Sequence, residues 1–266
     1  MKNNNMLDNS VKINNLSFKY NGSDKNIFNN INMDVPGGEF VCFLGKSGCG
    51  KSTLLRLISG LEKPSKGEIY FGDQPNKRPG LDKGVVFQDY GLYPWMTAGK
   101  NIELAIEQKY PKISKSEKRE QAKEIIRKVG LKEEVYKMLP KELSGGMRQR
   151  CAIARSFAID PPVLLMDEPF GALDAVTRAT LQDMVLDLWV KGEPKKTVFF
   201  VTHDVDEALL LAERIFVLGQ SGSDVILDVH VSDDERLLRD ENDREKTNAL
   251  RNKLVHTINQ DVKSRL

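Results

Sequence analysis

Apolar and polar positions alternate from Val11 to Tyr20, with Val11, Ile13, Leu16, Phe18 and Tyr20 on the apolar register and one slip after Ile13. Alternation returns from Ile27 to Val35 and stops at Pro36-Gly37-Gly38, so these two segments predict antiparallel strands. Phe40 to Leu44 is apolar at every position, the pattern of a strand buried on both faces. Leu54, Leu55, Leu57 and Ile58 then give a helical stripe that runs through Ser59. Lys63 to Gly67 reads as a turn, Glu68 to Gly72 as a short strand and Gly84 to Gln88 as another. From Thr97 to Leu139 the period becomes helical, with Ala122, Ile125, Ile126 and Val129 on one face of a charged segment, and a further helix is expected over Met147 to Ile159. Pro162 to Met166 and Thr197 to Val201 are again apolar throughout and predict central parallel strands. Beyond Asp233 the chain is charged, and Leu250, Leu254 and Ile258, spaced by four, predict a terminal helix lying on the body. No internal repeat is visible.

Composition narrows the class. The 266 residues, 40% hydrophobic, suffice for a well-packed α/β core, and a net charge of +2 from 40 basic and 38 acidic residues makes no large field of either sign. Nucleic acid is therefore not an expected partner. No apolar stretch approaches the roughly 18 residues that cross a bilayer, and Met1 to Ser10 lacks the apolar core of a secretory signal, which favours the cytosol. Cys42, Cys49 and Cys151 are odd in number and lack paired spacing, as reduced thiols would.

The chemistry begins at the end of the first all-apolar strand. Gly45-Lys46-Ser47-Gly48-Cys49-Gly50-Lys51-Ser52-Thr53 follows the pattern G-x-x-x-x-G-K-S between a strand and a helix, the arrangement that binds a nucleoside triphosphate. Glycines let backbone amides face the phosphates, Lys51 is placed to reach the β- and γ-phosphates, and the Ser52 hydroxyl can ligate Mg²⁺. Cys49 sits among Lys46, Lys51 and a helix N-terminus, which should lower its thiol pKa; the alternative is a small loop filler. In open α/β sheets ligands bind at the carboxyl edge, so Asp167-Glu168 and Thr202-His203-Asp204, each closing an apolar strand, should converge on this loop. Two successive strand carboxylates face opposite ways, so Asp167 is expected to take the metal and Glu168 the attacking water, with His203 donating a hydrogen bond to the γ-phosphate. A second anion-suited helix start lies at Ser144-Gly145-Gly146, which has no strand before it.

Leu143-Ser144-Gly145-Gly146-Met147-Arg148-Gln149-Arg150, lying between the phosphate loop and the acidic strand, resembles the signature of the ATP-binding-cassette (ABC) family, and the resemblance extends from about Val11 to Gly219. It implies an α/β P-loop NTPase cassette with a mixed, largely parallel core sheet, an antiparallel β subdomain and an inserted helical signature subdomain. On that reading residues 1–10 form a flexible N-terminus, 11–230 the ATPase domain with its helical part at about 97–160, and 231–266 a helical tail. Tyr20 resembles the aromatic that stacks on adenine, although an edge-strand aromatic would look the same. Gln88 resembles the glutamine that senses the γ-phosphate, helps hold Mg²⁺ and contacts the membrane partner. Asp167 is similar to the metal-holding acid, Glu168 to the general base and His203 to the switch histidine. Asp174 resembles the aspartate that crosses a dimer seam; it could also be a helix N-cap.

The resemblance further implies a homodimer that sandwiches two ATP, with Ser144 and Gly146 of one copy closing over the γ-phosphate held by Lys51 of the other. Pro79 to Gln88, Leu92-Tyr93-Pro94-Trp95, Phe170 to Asp174 and His203 to Ala208 are similar to the nucleotide-binding subunits of bacterial importers for nitrate, sulfonates and taurine. That implies two transmembrane permease subunits, an extracytoplasmic solute-binding protein and a peripheral place on the cytoplasmic face of the membrane. An exporter cassette and a soluble non-transport cassette are the alternatives. Tyr90, Tyr93 and Trp95 make an aromatic loop suited either to core packing or to docking on the membrane subunit. Lys46, where many relatives have proline, and Ala98-Gly99-Lys100, in place of a more apolar segment, are the visible departures.

Overall fold

Alternating segments and all-apolar runs form strands, and segments of helical period form helices. The computed structural model describes residues 9–171, 173–220, 225–232, 235 and 245–263. In chain order the elements are β1 (Val11–Phe18), β2 (Phe28–Val35), β3 (Phe40–Leu44), α1 (Lys51–Ser59), β4 (Lys66–Phe71), β5 (Gln74–Pro75), β6 (Lys83–Val86), α2 (Ala98–Lys109), α3 (Lys115–Lys128), α4 (Gly145–Phe157), β7 (Val163–Asp167), α5 (Ala175–Val190), β8 (Thr197–Thr202), α6 (Val205–Leu211), β9 (Arg214–Leu218), β10 (Val225–His230) and α7 (Glu245–Lys263). Of the stretch 1–10 expected to be flexible, only Asn9 and Ser10 are described, and both are tied in: Asn9 donates to the Lys195 carbonyl at 2.8 Å and the Ser10 carbonyl accepts from Gly72.

The chain divides into two units, one formed by residues up to Gly80 together with those from Pro194 onward, the other by Leu81–Glu193. The first unit holds an antiparallel sheet in the order β2-β1-β4-β5 and a mixed sheet segment in which β9, β3 and β8 run parallel and β10 joins β9 antiparallel. The slip in the β1 alternation is a real irregularity: pairing with β2 shifts between Ile13 and Leu16, and Asn15 sits there in the left-handed region at φ 50°. Every residue of β3 and β8 is buried, as the all-apolar runs require. Phe43 stacks on Phe199 at 5.5 Å between ring centroids, a pair across the β3/β8 seam that fixes the strand feeding the phosphate loop. Arg214 joins the two sheets. Its guanidinium bonds both Asp228 oxygens at 2.8 and 2.7 Å, donates to the Asp34 carbonyl of β2 at 2.8 Å and lies over the Phe216 ring. That grip holds the Asp228 carboxyl below its usual range.

In the second unit β6 pairs parallel with β7, and the helices follow. The segment expected to be helical from Thr97 to Leu139 is α2, α3 and two short 3-10 turns, because Thr97 and Ser114 each cap a new start; Ser114 and Glu117 form a reciprocal capping box. β6 ends at Val86, two residues short of the expected Gln88, and α4 begins at Gly145, two residues before the expected Met147, since Ser144 caps it by accepting from the Met147 amide. Gly at 99 has a packing reason: a Cβ there would overlap the Tyr136 ring. Burial, with a hydrogen bond to Glu103, pushes the Tyr136 hydroxyl up to about 12, so it stays a neutral donor to that carboxylate.

Gly99→Ala should therefore destabilise the protein by about 1–3 kcal/mol, an overpacking cost, and Tyr136→Ala added to it should recover part of that loss. Chemical denaturation of the single and double variants measures this; an additive loss would show that the ring is not what the glycine accommodates.

Candidate functional site

Strand β3 delivers the chain to Gly45, and the loop that follows can be built only with glycine at two points. Gly48 and Gly50 lie in the left-handed region at φ 83° and 100°. A Cβ on Gly50 would also come within 2.8 Å of the Phe28 ring and 2.9 Å of Ile27. Gly50 then serves as the N-cap of α1 without any side-chain cap, and no acidic residue stands in the first turn. The amides at this helix start thus keep their positive end for an external anion. Lys51 is 4% exposed, and its ammonium donates to the carbonyls of Gly45 at 2.8 Å and Lys46 at 3.2 Å, which folds the loop around its own cation. The Ser52 side of the helix faces solvent, and the Thr53 hydroxyl meets the Tyr20 hydroxyl at 3.1 Å. Tyr20 lies just beyond β1, 39% exposed, its ring edge-on to Phe18 at 4.9 Å. It is a partly open aromatic surface beside the loop's helix.

Cys49 does not have the lowered thiol pKa expected of it. Burial raises it and outweighs the nearby Lys51 cation. A Cβ on Gly45 would stand only 2.8 Å from the Cys49 sulfur, so the thiol fills the underside of the loop as a small apolar side chain.

His203 follows the last residue of β8 and is exposed. It lines one cavity of about 550 Å³ with Gly45, Lys46 and Ser47, so within the first unit the phosphate loop and the histidine do converge. The remaining wall of that cavity includes Val205 and, from α7, Val255 and Ile258. Sequence periodicity placed α7 on the body through Leu250 and Leu254, both buried, but gave no sign that its next turn borders the loop. Arg251 grips Asp206 of α6 at 2.6 and 3.3 Å, and Asp261 accepts the Gln220 amide at 2.7 Å; these charged anchors carry no spacing that would mark them.

The second unit assembles the other candidates. Asp167 closes β7, whose partner β6 ends two residues before the exposed Gln88, so both stand at the carboxyl edge of this parallel pair. Glu168 leaves strand geometry altogether, with φ 41°. The expected division of labour by strand alternation is therefore not the device: a left-handed turn, with the Gly171 amide bonding the Glu168 carbonyl at 3.3 Å, redirects the second carboxylate. Gly145 stands close to the Tyr90 hydroxyl and to Leu173, and a Cβ on Gly146 would come within 2.5 Å of Thr177 at the start of α5. The signature helix, the loop after Gln88 and the turn at Asp174 are thus neighbours, and Gly146 is what lets α5 approach. Asp174 is the N-cap of α5, accepting from the Thr177 amide at 3.0 Å, which holds its carboxyl below the ordinary range. Ala172, within the Phe170 to Asp174 motif, lies outside the described residues.

Around Tyr90 the structure gives Arg148 a contact that its place in the signature did not indicate, and adds Arg155 and Asn101 from outside the motifs. Arg148 of the signature lies over the Tyr90 ring at 5.3 Å, and Arg155 donates to the carbonyls of Gly91 and Tyr90. Asn101, fully buried, accepts from the Tyr93 amide at 2.8 Å and donates to the carbonyls of Tyr93, Met96 and Thr97. These hold the aromatic loop from behind while Trp95, 72% exposed, and Tyr93, 40% exposed, pair outward at 5.5 Å. Among the described residues no group of three or more His, Cys, Asp or Glu could hold a metal by itself, and no helix is long and apolar enough to cross a membrane.

Comparison with known proteins agrees with this geometry. The family model described as "ABC transporter" matches residues 28–171. The chain is 50% identical over 188 residues to the nitrate import ATP-binding protein NrtD of Synechococcus elongatus, covering 71% of this chain and 68% of that one. It is 47% identical over 192 residues to the bicarbonate transport ATP-binding protein CmpD of the same species, covering 72% and 68%. Among solved structures it is similar to the ATP-binding cassette MJ0796, solved as a dimer bound to ADP and Pi, with a TM-score of 0.74 and 35% identity over 84% of this chain and 99% of that one. A phosphate loop and signature helix on an α/β cassette, matched by the family model over more than half of its length, place this chain in the ABC transporter family as an ATP-hydrolysing, ATP-binding subunit.

Proposed function

We propose that this chain is the motor subunit of a bacterial importer for a small solute, an anion of the kind that nitrate, bicarbonate, sulfonates and taurine represent. The observation that carries the direction and the solute class is the identity to NrtD and CmpD, whose names describe nitrate import and bicarbonate transport. On this reading the chain sits peripherally on the cytoplasmic face of the membrane and works with two permease subunits and an extracytoplasmic solute-binding protein. The Tyr93–Trp95 pair supports permease docking: two large aromatics held outward by a buried Asn101 suit an interface anchor better than a core.

Hydrolysis follows from the groups already described. Tyr20 offers its ring to adenine. The α1 amides and Lys51 hold the β- and γ-phosphates, and the absence of a capping carboxylate on α1 suits that charge. Ser52, Asp167 and Gln88 would hold Mg²⁺, which when bound supplies positive charge to the phosphate oxygens; the carboxylate that closes β7, with hydroxyl and amide oxygens, suits a hard ion that takes its remaining ligands from phosphate and water. Glu168, turned out of β7, orients a water and accepts its proton as the water oxygen bonds the γ-phosphorus. The bond from that phosphorus to the β,γ-bridging oxygen breaks, leaving ADP and phosphate. His203 steadies the γ-phosphate through a hydrogen bond.

Two copies are needed, because Ser144 and Gly146 open a second anion-suited helix start for which one chain carries no second phosphate loop. They close over the γ-phosphate held by the other copy, with Asp174 at the seam. The dimeric state of MJ0796 supports this arrangement.

Glu168→Gln should lower turnover about 10²–10⁴-fold while keeping ATP bound, giving an ATP-dependent dimer on a sizing column; a monomer that persists with ATP would contradict the composite site. Deleting the chain from its host should abolish uptake of one among nitrate, bicarbonate, taurine and alkanesulfonates, measured with labelled solutes. Unchanged uptake of all four, with loss of an efflux activity, would overturn the import reading.

A further inference from the structure

A second large cavity lies wholly within the second unit, walled by α2, α3 and the 3-10 turn Glu133–Lys137. Its volume of about 790 Å³ is that of a small-molecule site. Six cations but only two carboxylates line it, on a chain whose net charge is only +2. Both carboxylates are already engaged. Glu103, 4% exposed, accepts from the Tyr136 hydroxyl and pairs with Lys100 at 2.6 Å, while Glu120 pairs with Lys123 at 3.4 Å. Lys118 is matched by Glu107, which lies outside the lining. Lys115, Arg119 and Lys137 remain, and among the described residues none of the three has a carboxylate partner. Lys115 and Arg119 stand one turn apart on α3, and Arg119 lies over the Tyr136 ring at 5.4 Å. Glu117, the acid in the first turn of α3, accepts from the Ser114 amide at 3.1 Å and takes no part in the lining.

We propose that this pocket binds a small soluble polyanion, a diphosphate or a metabolite that carries one, between Lys115, Arg119 and Lys137. Cations that share a cleft without countercharge repel one another and concentrate anions there. A diphosphate carries enough charge to answer all three, whereas a monovalent anion such as nitrate or bicarbonate does not. Arg119 suits the phosphate chemistry: a guanidinium donates to phosphate oxygens in pairs, and the Tyr136 ring holds this one at the wall. Beneath it, the bond from Tyr136 to Glu103 already joins the 3-10 turn to α2. A bound anion would add a bridge from α3 to that turn, so it should stabilise the folded chain as well as occupy the cavity. None of the residues that would hold it has a part in binding or hydrolysing ATP, so the site is additional to the one at the phosphate loop.

Calorimetric titration of the full chain with pyrophosphate tests this, the protein being kept saturated with ADP so that the phosphate loop is filled. One further pyrophosphate should bind per chain, raise the melting temperature and bind more weakly as salt increases. The double variant Arg119→Gln, Lys137→Gln should lose affinity for it about ten-fold or more, while its ADP affinity and its melting temperature without pyrophosphate stay those of the parent. Lys115→Gln alone should weaken binding in the same direction, which keeps the test open if the double variant does not fold. Lys191→Gln, an exposed lysine at the far end of α5, should change nothing. Vesicles of phosphatidylglycerol separate a lipid headgroup from a free anion, and they should not capture the protein. No binding to the ADP-saturated chain, equal binding by the double variant, displacement of ADP by the pyrophosphate, or binding to vesicles but not to pyrophosphate would each overturn the site.

Discussion

A triphosphate held by backbone amides at the start of one helix is the constraint from which the rest of this molecule follows. The loop that does the holding needs left-handed backbone at Gly48 and Gly50, tolerates no side chain at Gly50 against Phe28, and is drawn together by the buried Lys51 cation. Such a loop cannot hold its shape unless the strand before it and the helix after it are rigid. That is the work of the all-buried β3, the Phe43–Phe199 stack and the Leu54–Ile58 stripe. Arg214 extends the same rigidity to the second sheet, joining β2 to β9 and β10 by one guanidinium.

The second unit answers a different demand, that hydrolysis respond to a partner. Its chemistry-bearing residues sit on turns and helix starts rather than within strands: Gln88 beyond β6, Glu168 beyond β7, Ser144 and Asp174 as N-caps. Helix starts of this kind leave backbone amides for an external anion, which suits a site completed from outside the chain. Gly145 and Gly146 let the signature helix, the aromatic loop and α5 crowd together, and Arg148 of the signature lies over the Tyr90 ring.

Much of this was legible in the chain before any coordinates. All-apolar runs marked β3, β7 and β8 because a strand buried on both faces has no polar side to betray its register, and glycine spacing marked the phosphate loop because no other residue builds it. Legibility failed where tertiary context decides. Burial and charge compete at Cys49, and only the packed structure shows that burial wins. Glu168 looks like one more strand residue until its φ of 41° takes it out of the pleat. β9 and β10 carry weaker or mixed patterns and were not anticipated, α5 was visible only through Asp174 as a possible N-cap, and α7 was visible as an amphipathic helix but not as a wall of the cavity beside Lys46. Contacts between segments distant in sequence leave no local period to read.

If each reaction centre is built from two chains, two differently disabled variants should complement each other. Lys51→Ala disables the phosphate loop and Ser144→Arg blocks the signature helix start, so each variant alone should hydrolyse ATP at background rate. Mixed in equal amounts, they should regain activity, because a mixed pair contains one centre with both an intact loop and an intact signature. Full-rate hydrolysis by a protein kept strictly monomeric, or no recovery in the mixture although mixed dimers form, would contradict the account.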